Sequence, residues 1–269
     1  MNKNIEAVIF DWAGTTVDYG CFAPVKAFAE VFRQAGIEPT MDEVREPMGM
    51  LKRDHIKTML EMPRIRGLWE KKYEKSPSEA DIDQLYASFE DKLLGILDEF
   101  ADPKPHVLET TARLRELGIK IGSTTGYTDE MMQIVVQKAR EAGYEPDAWF
   151  SPNSVGNAGR PYPYMIFKNM EVLRVKSIDH VIKVGDTISD IKEGKNAGVY
   201  TIGVVEGSSE MGLTESEYNA LPEAEKKDRA EAVTSRFMDA GADAVILNMN
   251  ELLEIEMFRE MAKGRCAES

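Results

Sequence analysis

Five short runs rich in β-branched and other apolar residues, Ala7 to Phe10, Ile119 to Thr124, Val181 to Val184, Val199 to Val205 and Ala244 to Leu247, alternate with stretches of helical pattern. Strands alternating with helices imply a parallel sheet covered on both faces by helices. The near-continuous apolar character of the runs points the same way, because a strand buried on both faces shows no polar alternation. The expected fold class is α/β, a Rossmann-like doubly wound parallel sheet. Sites in such sheets lie beyond the carboxyl ends of the strands, where the strand order switches. Asp11, Thr124 to Gly126 and Asp186 all fall at such ends.

Between Asp18 and roughly Phe100 no strand pattern appears, and the chain reads as a succession of helices. At 269 residues the chain exceeds the commonest single-domain size. The expectation is therefore an all-α cap domain, residues 18–100, inserted into a core formed by residues 1–17 and 101–269. Thr40 followed by Glu43 has the form of a capping box, and Ser76-Pro77-Ser78-Glu79 reads as a second helix start with Pro77 at the first helical position. Pro47 and Pro63 bracket one helix, Asp98 to Pro105 reads as the return linker, and the tail beyond Ser216 looks helical apart from the Ala244 run.

The net charge of -14 argues against a nucleic-acid or acidic-lipid partner, since the summed field repels phosphate polymers. A small anionic substrate would need a locally positive pocket. The two cysteines, Cys21 and Cys266, are too few for a disulfide framework and form no zinc-ligand spacing. The first apolar run is too brief for a signal peptide, and no window approaches a membrane span. A cytoplasmic protein is expected.

The helix read from Pro47 to about Met62 carries a second signal. At about 100° per residue, Met48, Leu51, Ile56, Met59 and Leu60 form an apolar half, with Arg53, Asp54 and Lys57 opposite and Lys52 and His55 inside the apolar half. Two readings stand for this pair. Lys52 could snorkel to water above a satisfied core histidine, or its apolar neighbours could desolvate the ammonium and free the amine to attack a carbonyl, with His55 moving protons. Gly49, costly in a helix, fits a close approach by a ligand or by the core.

Asp11 closes the run Ala7-Val8-Ile9-Phe10-Asp11-Trp12-Ala13-Gly14-Thr15-Thr16, where a carboxylate at a strand end could cap a turn, attack as a nucleophile or bind a metal. Ser123-Thr124-Thr125-Gly126-Tyr127 ends a strand in hydroxyls and glycine, which suits either a turn or a phosphoryl group; Tyr127 could be structural or face a substrate. Arg160 in Gly159-Arg160-Pro161-Tyr162-Pro163 offers a planar fork for oxyanions. In Val184-Gly185-Asp186-Thr187-Ile188-Ser189-Asp190, two carboxylates at a helix start could cap it or, with Asp11, form an oxygen-rich site for Mg²⁺.

In this order the four segments resemble the motifs of the haloacid dehalogenase superfamily of phosphotransferases, over nearly the whole chain. One departure is informative: the usual Asp-x-Asp has Ala13 in place of its second aspartate, the acid that protonates a leaving oxygen. Asp-Trp-Ala-Gly-Thr is similar to the phosphonoacetaldehyde hydrolase family, whose reaction breaks a carbon–phosphorus bond and has no leaving oxygen. The resemblance implies that Asp11 is the nucleophile and Lys52 the Schiff-base lysine. It further implies that Asp11, the Ala13 carbonyl and Asp186 bind Mg²⁺, with Asp190 behind them, Thr125 and Gly126 contacting the phosphoryl group, and Arg160 binding phosphorus or orienting Asp11. Cys21 and Met48 match positions near the substrate and read first as packing residues. A small phosphonate substrate and a homodimer are implied on the same ground. The alternatives are an oxygen-ester phosphatase or phosphomutase, against which Ala13 argues, and a non-catalytic interaction protein, against which the retained acids argue.

Overall fold

Six parallel strands form the sheet in this computed structural model, which describes residues 4–259: β1 (Ala7–Phe10), β2 (Lys120–Thr124), β3 (Ala148–Phe150), β4 (Val181–Gly185), β5 (Tyr200–Val204) and β6 (Ala244–Ile246). Their order is β3-β2-β1-β4-β5-β6, all paired parallel. The chain runs outward from β1 through β2 to β3, then returns to the other side of β1 with β4. The switch in strand order therefore lies between β1 and β4, where the crevice of a doubly wound sheet opens. Phe10 is in register with both Ser123 and Val184, so Asp11, Thr124 and Gly185 emerge side by side at the carboxyl edge.

Between β1 and β2 the chain builds α1 (Phe22–Gln34), α2 (Met41–Arg45), α3 (Lys52–Glu61), α4 (Pro63–Tyr73) and α5 (Glu79–Leu94), then a 3₁₀ turn at Leu97–Phe100 and α6 (Val107–Glu116). Helix α5 packs against both α1 and α3. The remaining helices are α7 (Asp129–Glu141), α8 (Tyr164–Val172), α9 (Ile188–Ala197), α10 (Glu215–Ala220) and α11 (Glu223–Asp239). One continuous apolar cluster runs from Val8 and Phe10 in the sheet to Phe28, Ile56 and Phe89 in the helical insertion. Val17 bridges to both Ala13 and Pro103, which ties the outgoing and returning chains together beneath the insertion.

Four local expectations need correction. The helix read from Pro47 begins only at Lys52, with Leu51 at its N-cap, because Gly49 takes φ +84° in a turn that no right-handed helix can include. Pro77 precedes the cap of α5 instead of opening the helix; Ser78 caps it with Asp81 as the reciprocal partner. The strands expected to start at Ile119 and Val199 start one residue later, since the Ile119 and Val199 amides still bond to Leu114 and Gly194 at helix ends. Strand β3 was not anticipated: three residues, Ala148–Phe150, are too short to show a period. The capping box of Thr40 and Glu43 forms as read. Cys266 lies outside the described residues, and among those residues no helix is long and apolar enough to cross a membrane.

Candidate active site

Asp11 follows β1 directly, its amide bonded to the Val184 carbonyl at 2.9 Å, so neighbouring strands fix its backbone. The chain then turns through Ala13 and Gly14. Gly14 has φ +90°, and a Cβ there would fall 2.1 Å from Asp186 Oδ2, so the turn passes directly over that carboxylate. Thr16 donates to the Asp11 carbonyl at 3.0 Å, while Thr15 donates to Asp186 Oδ1 at 3.0 Å.

Asp186 is fully buried past the end of β4, and Asp190 is fully buried in the first turn of α9. Oxygens of Asp11, Asp186 and Asp190 lie within 4.8 Å of one another. Burial, then repulsion by Asp11 and Asp190, push Asp186 well above the ordinary carboxylate range, against the opposing Ser209 amide and Lys104. A cation beside it would relieve both effects. An all-oxygen donor set with little rigid protein ligation suits a hard divalent ion. Asp190 behaves oppositely: burial raises its pKa, but Arg160 and Lys183 outweigh burial and hold it low.

Arg160 is buried on the far side of Asp11. Its Nη2 donates to Asp11 Oδ1 at 2.5 Å and to Thr124 Oγ1 at 2.9 Å, and its Nε donates to Glu193 Oε2 at 3.0 Å. The planar guanidinium is thereby locked in orientation.

Lys52 opens α3 from the insertion and is 6% exposed. Its amine lies 5.1 Å from the Tyr127 ring centroid and 6.0 Å from that of Phe28, with no hydrogen-bond or ion-pair partner among the described residues. Burial holds the ammonium below its ordinary pKa, against the opposing pull of Cys21 and Asp11. The desolvated reading of Lys52 thus fits the structure and the snorkelling one does not. His55, fully buried, stacks on Phe28 with centroids 3.8 Å apart, and among the described residues neither ring nitrogen makes a hydrogen bond of ordinary geometry. Burial and the Lys52 charge push its pKa well below the usual value, opposed by the Val44 backbone.

One cleft gathers Asp11, Ala13, Cys21, Met48, Gly49, Lys52, Thr125, Gly126, Tyr127 and Arg160, with Thr187. It holds about 20 Å³ of free space, room for one water and little more. Asp186 and Asp190 lie beneath it, and His55 does not line it. Gly126 faces Lys52: a Cβ there would sit 3.9 Å from Nζ. Burial raises the pKa of Cys21 and of Tyr127, so both are neutral, and the Tyr127 hydroxyl has no hydrogen-bond partner among the described residues.

Sequence reasoning missed Lys183 and Glu193. Lys183 is fully buried in β4, with Nζ 2.9 Å from Asp190 Oδ1 and 3.4 Å from Glu193 Oε2. The available signal was a lysine inside the otherwise apolar run Val181-Ile182-Lys183-Val184, since lysine is almost never fully buried unless paired. Arg45 was missed as well; from α2 it donates to the Gly20 carbonyl at 2.9 Å and the Ser209 carbonyl at 3.2 Å, joining the insertion to the loop that holds Asp186.

The haloacid dehalogenase-like hydrolase family matches residues 5–198. A phosphonoacetaldehyde hydrolase of Bacillus cytotoxicus is 53% identical over 93% of this chain and 95% of its own. A bifunctional phosphonoacetaldehyde hydrolase/aminoethylphosphonate transaminase of Clostridioides difficile is 52% identical over 94% of this chain, which spans 40% of that longer protein. The crystal structure of a phosphonoacetaldehyde hydrolase-like protein from Oleispira antarctica superposes with a TM-score of 0.92 at 37% identity, covering 98% of this chain and 96% of that one. Identity of this extent, joined to the Asp11-to-Asp190 arrangement at the switch point, makes the chain a member of the haloacid dehalogenase-like hydrolases and, within them, of the phosphonoacetaldehyde hydrolase family.

Proposed function

We propose that this chain hydrolyses the carbon–phosphorus bond of phosphonoacetaldehyde to acetaldehyde and phosphate, through a Schiff base on Lys52 and an aspartyl phosphate on Asp11. The observation that carries the reading is the pairing, in one cleft, of a buried partnerless lysine with an aspartate whose usual acid partner is Ala13.

A carbon–phosphorus bond beside an ordinary methylene does not break heterolytically, because the departing carbanion has nowhere to place its charge. Condensation of the Lys52 amine with the aldehyde releases water and leaves a protonated imine one carbon from that bond. Attack of Asp11 on phosphorus then sends the bond's electrons into the imine as an enamine. No leaving oxygen is formed, so no acid is needed at position 13. Thr125, the Gly126 backbone and Arg160 hold the phosphoryl oxygens. Water hydrolyses the acyl phosphate, and protonation and hydrolysis of the enamine release acetaldehyde and restore the amine.

Mg²⁺ held by Asp11, the Ala13 carbonyl and Asp186 would offset negative charge on the phosphoryl group. Asp190 would stay behind these ligands, paired with Arg160 and Lys183. His55 supports Lys52 from beneath as a neutral ring, and Cys21, Met48 and Tyr127 close the walls. In this reading residues 18–100 are the cap domain on a core of 1–17 and 101–269. Since the cleft holds about 20 Å³, the cap opens to admit substrate and closes to exclude water. The homodimer and cytoplasmic setting implied by the family belong to the same proposal.

Borohydride treatment in the presence of acetaldehyde tests it. Irreversible inactivation is expected, with the reduced adduct on the Lys52 peptide, and Lys52→Arg is expected to be as inactive as Lys52→Ala, because arginine keeps the charge but forms no imine. An adduct elsewhere, or none alongside continued phosphate release, would leave an oxygen-ester phosphatase as the better reading.

A further inference from the structure

We propose that Lys183 and Glu193 are positioning residues whose task is to aim Arg160 at Asp11 and the phosphoryl group. The proposal rests on the role given to Arg160 above, and adds the parts that set its direction.

Three elements converge on one hydroxyl. Thr124 Oγ1, at the end of β2, donates to Glu193 Oε2 at 3.0 Å and accepts from Arg160 Nη2 at 2.9 Å and from Lys183 Nζ at 2.9 Å. A hydroxyl has one donor and two acceptor sites, so this one is fully used. Glu193 Oε2 in turn accepts from Arg160 Nε at 3.0 Å. The hydrogen bonds of Arg160 all leave from Nε and Nη2, and its side chain lines the cleft with Nη1 uncommitted among the described residues. One edge of the guanidinium is clamped, which leaves Nη1 for the phosphoryl group.

Fold stability does not call for this arrangement. Lys183 and Glu193 are both 0% exposed, between strand and helix, where a buried ion pair is often matched or bettered for stability by apolar side chains of similar volume. What apolar side chains cannot do is hold a guanidinium edge. Asp190 and Glu193 stand three residues apart on α9, and so on the same side of the helix. Asp190 contacts Nη2 at 3.0 Å and Glu193 contacts Nε at 3.0 Å, so both acids grip the same edge of the group. Lys183 balances the two acids, so neither draws Arg160 away from Asp11.

The test replaces the buried pair as a unit, Lys183→Met with Glu193→Leu, in full-length protein with Mg²⁺ present. It measures thermal midpoint, affinity for inorganic phosphate by calorimetry, and kcat and KM for phosphonoacetaldehyde. Expected are a folded protein with a lowered midpoint, because Arg160 Nε and the Thr124 hydroxyl lose their acceptor, phosphate binding weakened about tenfold, and kcat lowered about 100-fold with little change in KM, the scale of a misplaced catalytic group. In an Arg160→Ala background the same pair replacement should change phosphate affinity and kcat by less than about twofold, because its target is gone. A folded pair variant with unchanged kcat and phosphate affinity, or one whose losses recur in full without Arg160, overturns the proposal. Should the pair variant not fold, Thr124→Val removes the shared hydroxyl at nearly constant volume and must weaken phosphate binding in the same Arg160-dependent way; unchanged affinity there overturns the proposal equally. The phosphate arm needs no organic substrate. A protein that fails to cleave phosphonoacetaldehyde, yet shows the Arg160-dependent loss of phosphate affinity, refutes the substrate reading and leaves this one standing.

Discussion

Substituting Gly49 by alanine should separate folding from catalysis. Gly49 sits in the turn before α3 with φ +84°, and a Cβ there would lie 2.5 Å from Thr187 Oγ1 and 2.8 Å from Ser189 Cβ, both at the start of α9. Ordinary contact begins near 3.4 Å, so the insertion must retreat by roughly 0.9 Å at this point. The left-handed backbone adds about 1–2 kcal/mol of strain for an L-residue. At about 2–4 °C per kcal/mol for a chain of this size, the midpoint should fall by about 2–8 °C. The kinetic cost is much larger. Lys52 lies three residues on, and a displacement of about 1 Å between reacting groups costs on the order of 100-fold in rate. Acetaldehyde release coupled to an alcohol dehydrogenase reads kcat/KM, and calorimetry reads the midpoint. Borohydride trapping at Lys52 should survive, since imine formation needs the amine and the aldehyde but not Asp11. A folded Gly49→Ala protein with parental turnover would show that the approach of this turn to α9 does not set the distance between Lys52 and Asp11.

Three further outcomes are expected. Ala13→Asp should lower phosphate release from phosphonoacetaldehyde by about tenfold or more, because a new charge beside Asp11 helps no leaving oxygen; a clear gain would contradict the mechanism. Asp186→Ala should abolish turnover and chelation should stop the parent enzyme, whereas full activity in protein verified as metal-free would remove Mg²⁺ from the site. Burial pushes the Asp18 carboxyl from 3.8 up to about 6, despite the Ala23 and Phe22 amides it caps. The folded state thus binds this proton more tightly than the unfolded one. The stability it contributes is present below about pH 4 and lost by about pH 6, a change on the order of 3 kcal/mol. The urea midpoint of the parent should therefore fall relative to that of Asp18→Asn as the pH rises from about 4 through about 6, and a constant offset between them would refute the assignment.

The carboxyl edge of the sheet, where the candidate site lies, was legible because it follows from strand ends. Asp11, Thr125 and Asp186 each close an apolar run, and in a parallel sheet such ends share one edge whatever the helices do. The insertion was legible as helices, but the turn at Gly49 was not. Its apolar residues continue the helical period across a break that only the backbone angle reveals, so Met48 reaches the cleft from a turn instead of a helix face. The buried charges escaped for a different reason. Glu193 falls on a helix where an acid is ordinary, and Lys183 interrupts a strand by a single residue; their meaning depends on Arg160 arriving from more than twenty residues earlier. Pairing of that kind is a property of tertiary approach and leaves no local period.

The place of β1 in the sheet also bears on how the protein is made. Its four residues are entirely buried, and their neighbours β2 and β4 follow it by 113 and 174 residues. At about 5–20 residues per second, the ribosome delivers the first partner about 6–23 s after β1 has emerged, and only after the whole helical insertion. The central strand of the sheet is thus synthesised before either of the strands it pairs with. Until they arrive an apolar strand with both edges open must be sheltered, by the nascent helices of the insertion or by a chaperone, from pairing with another chain.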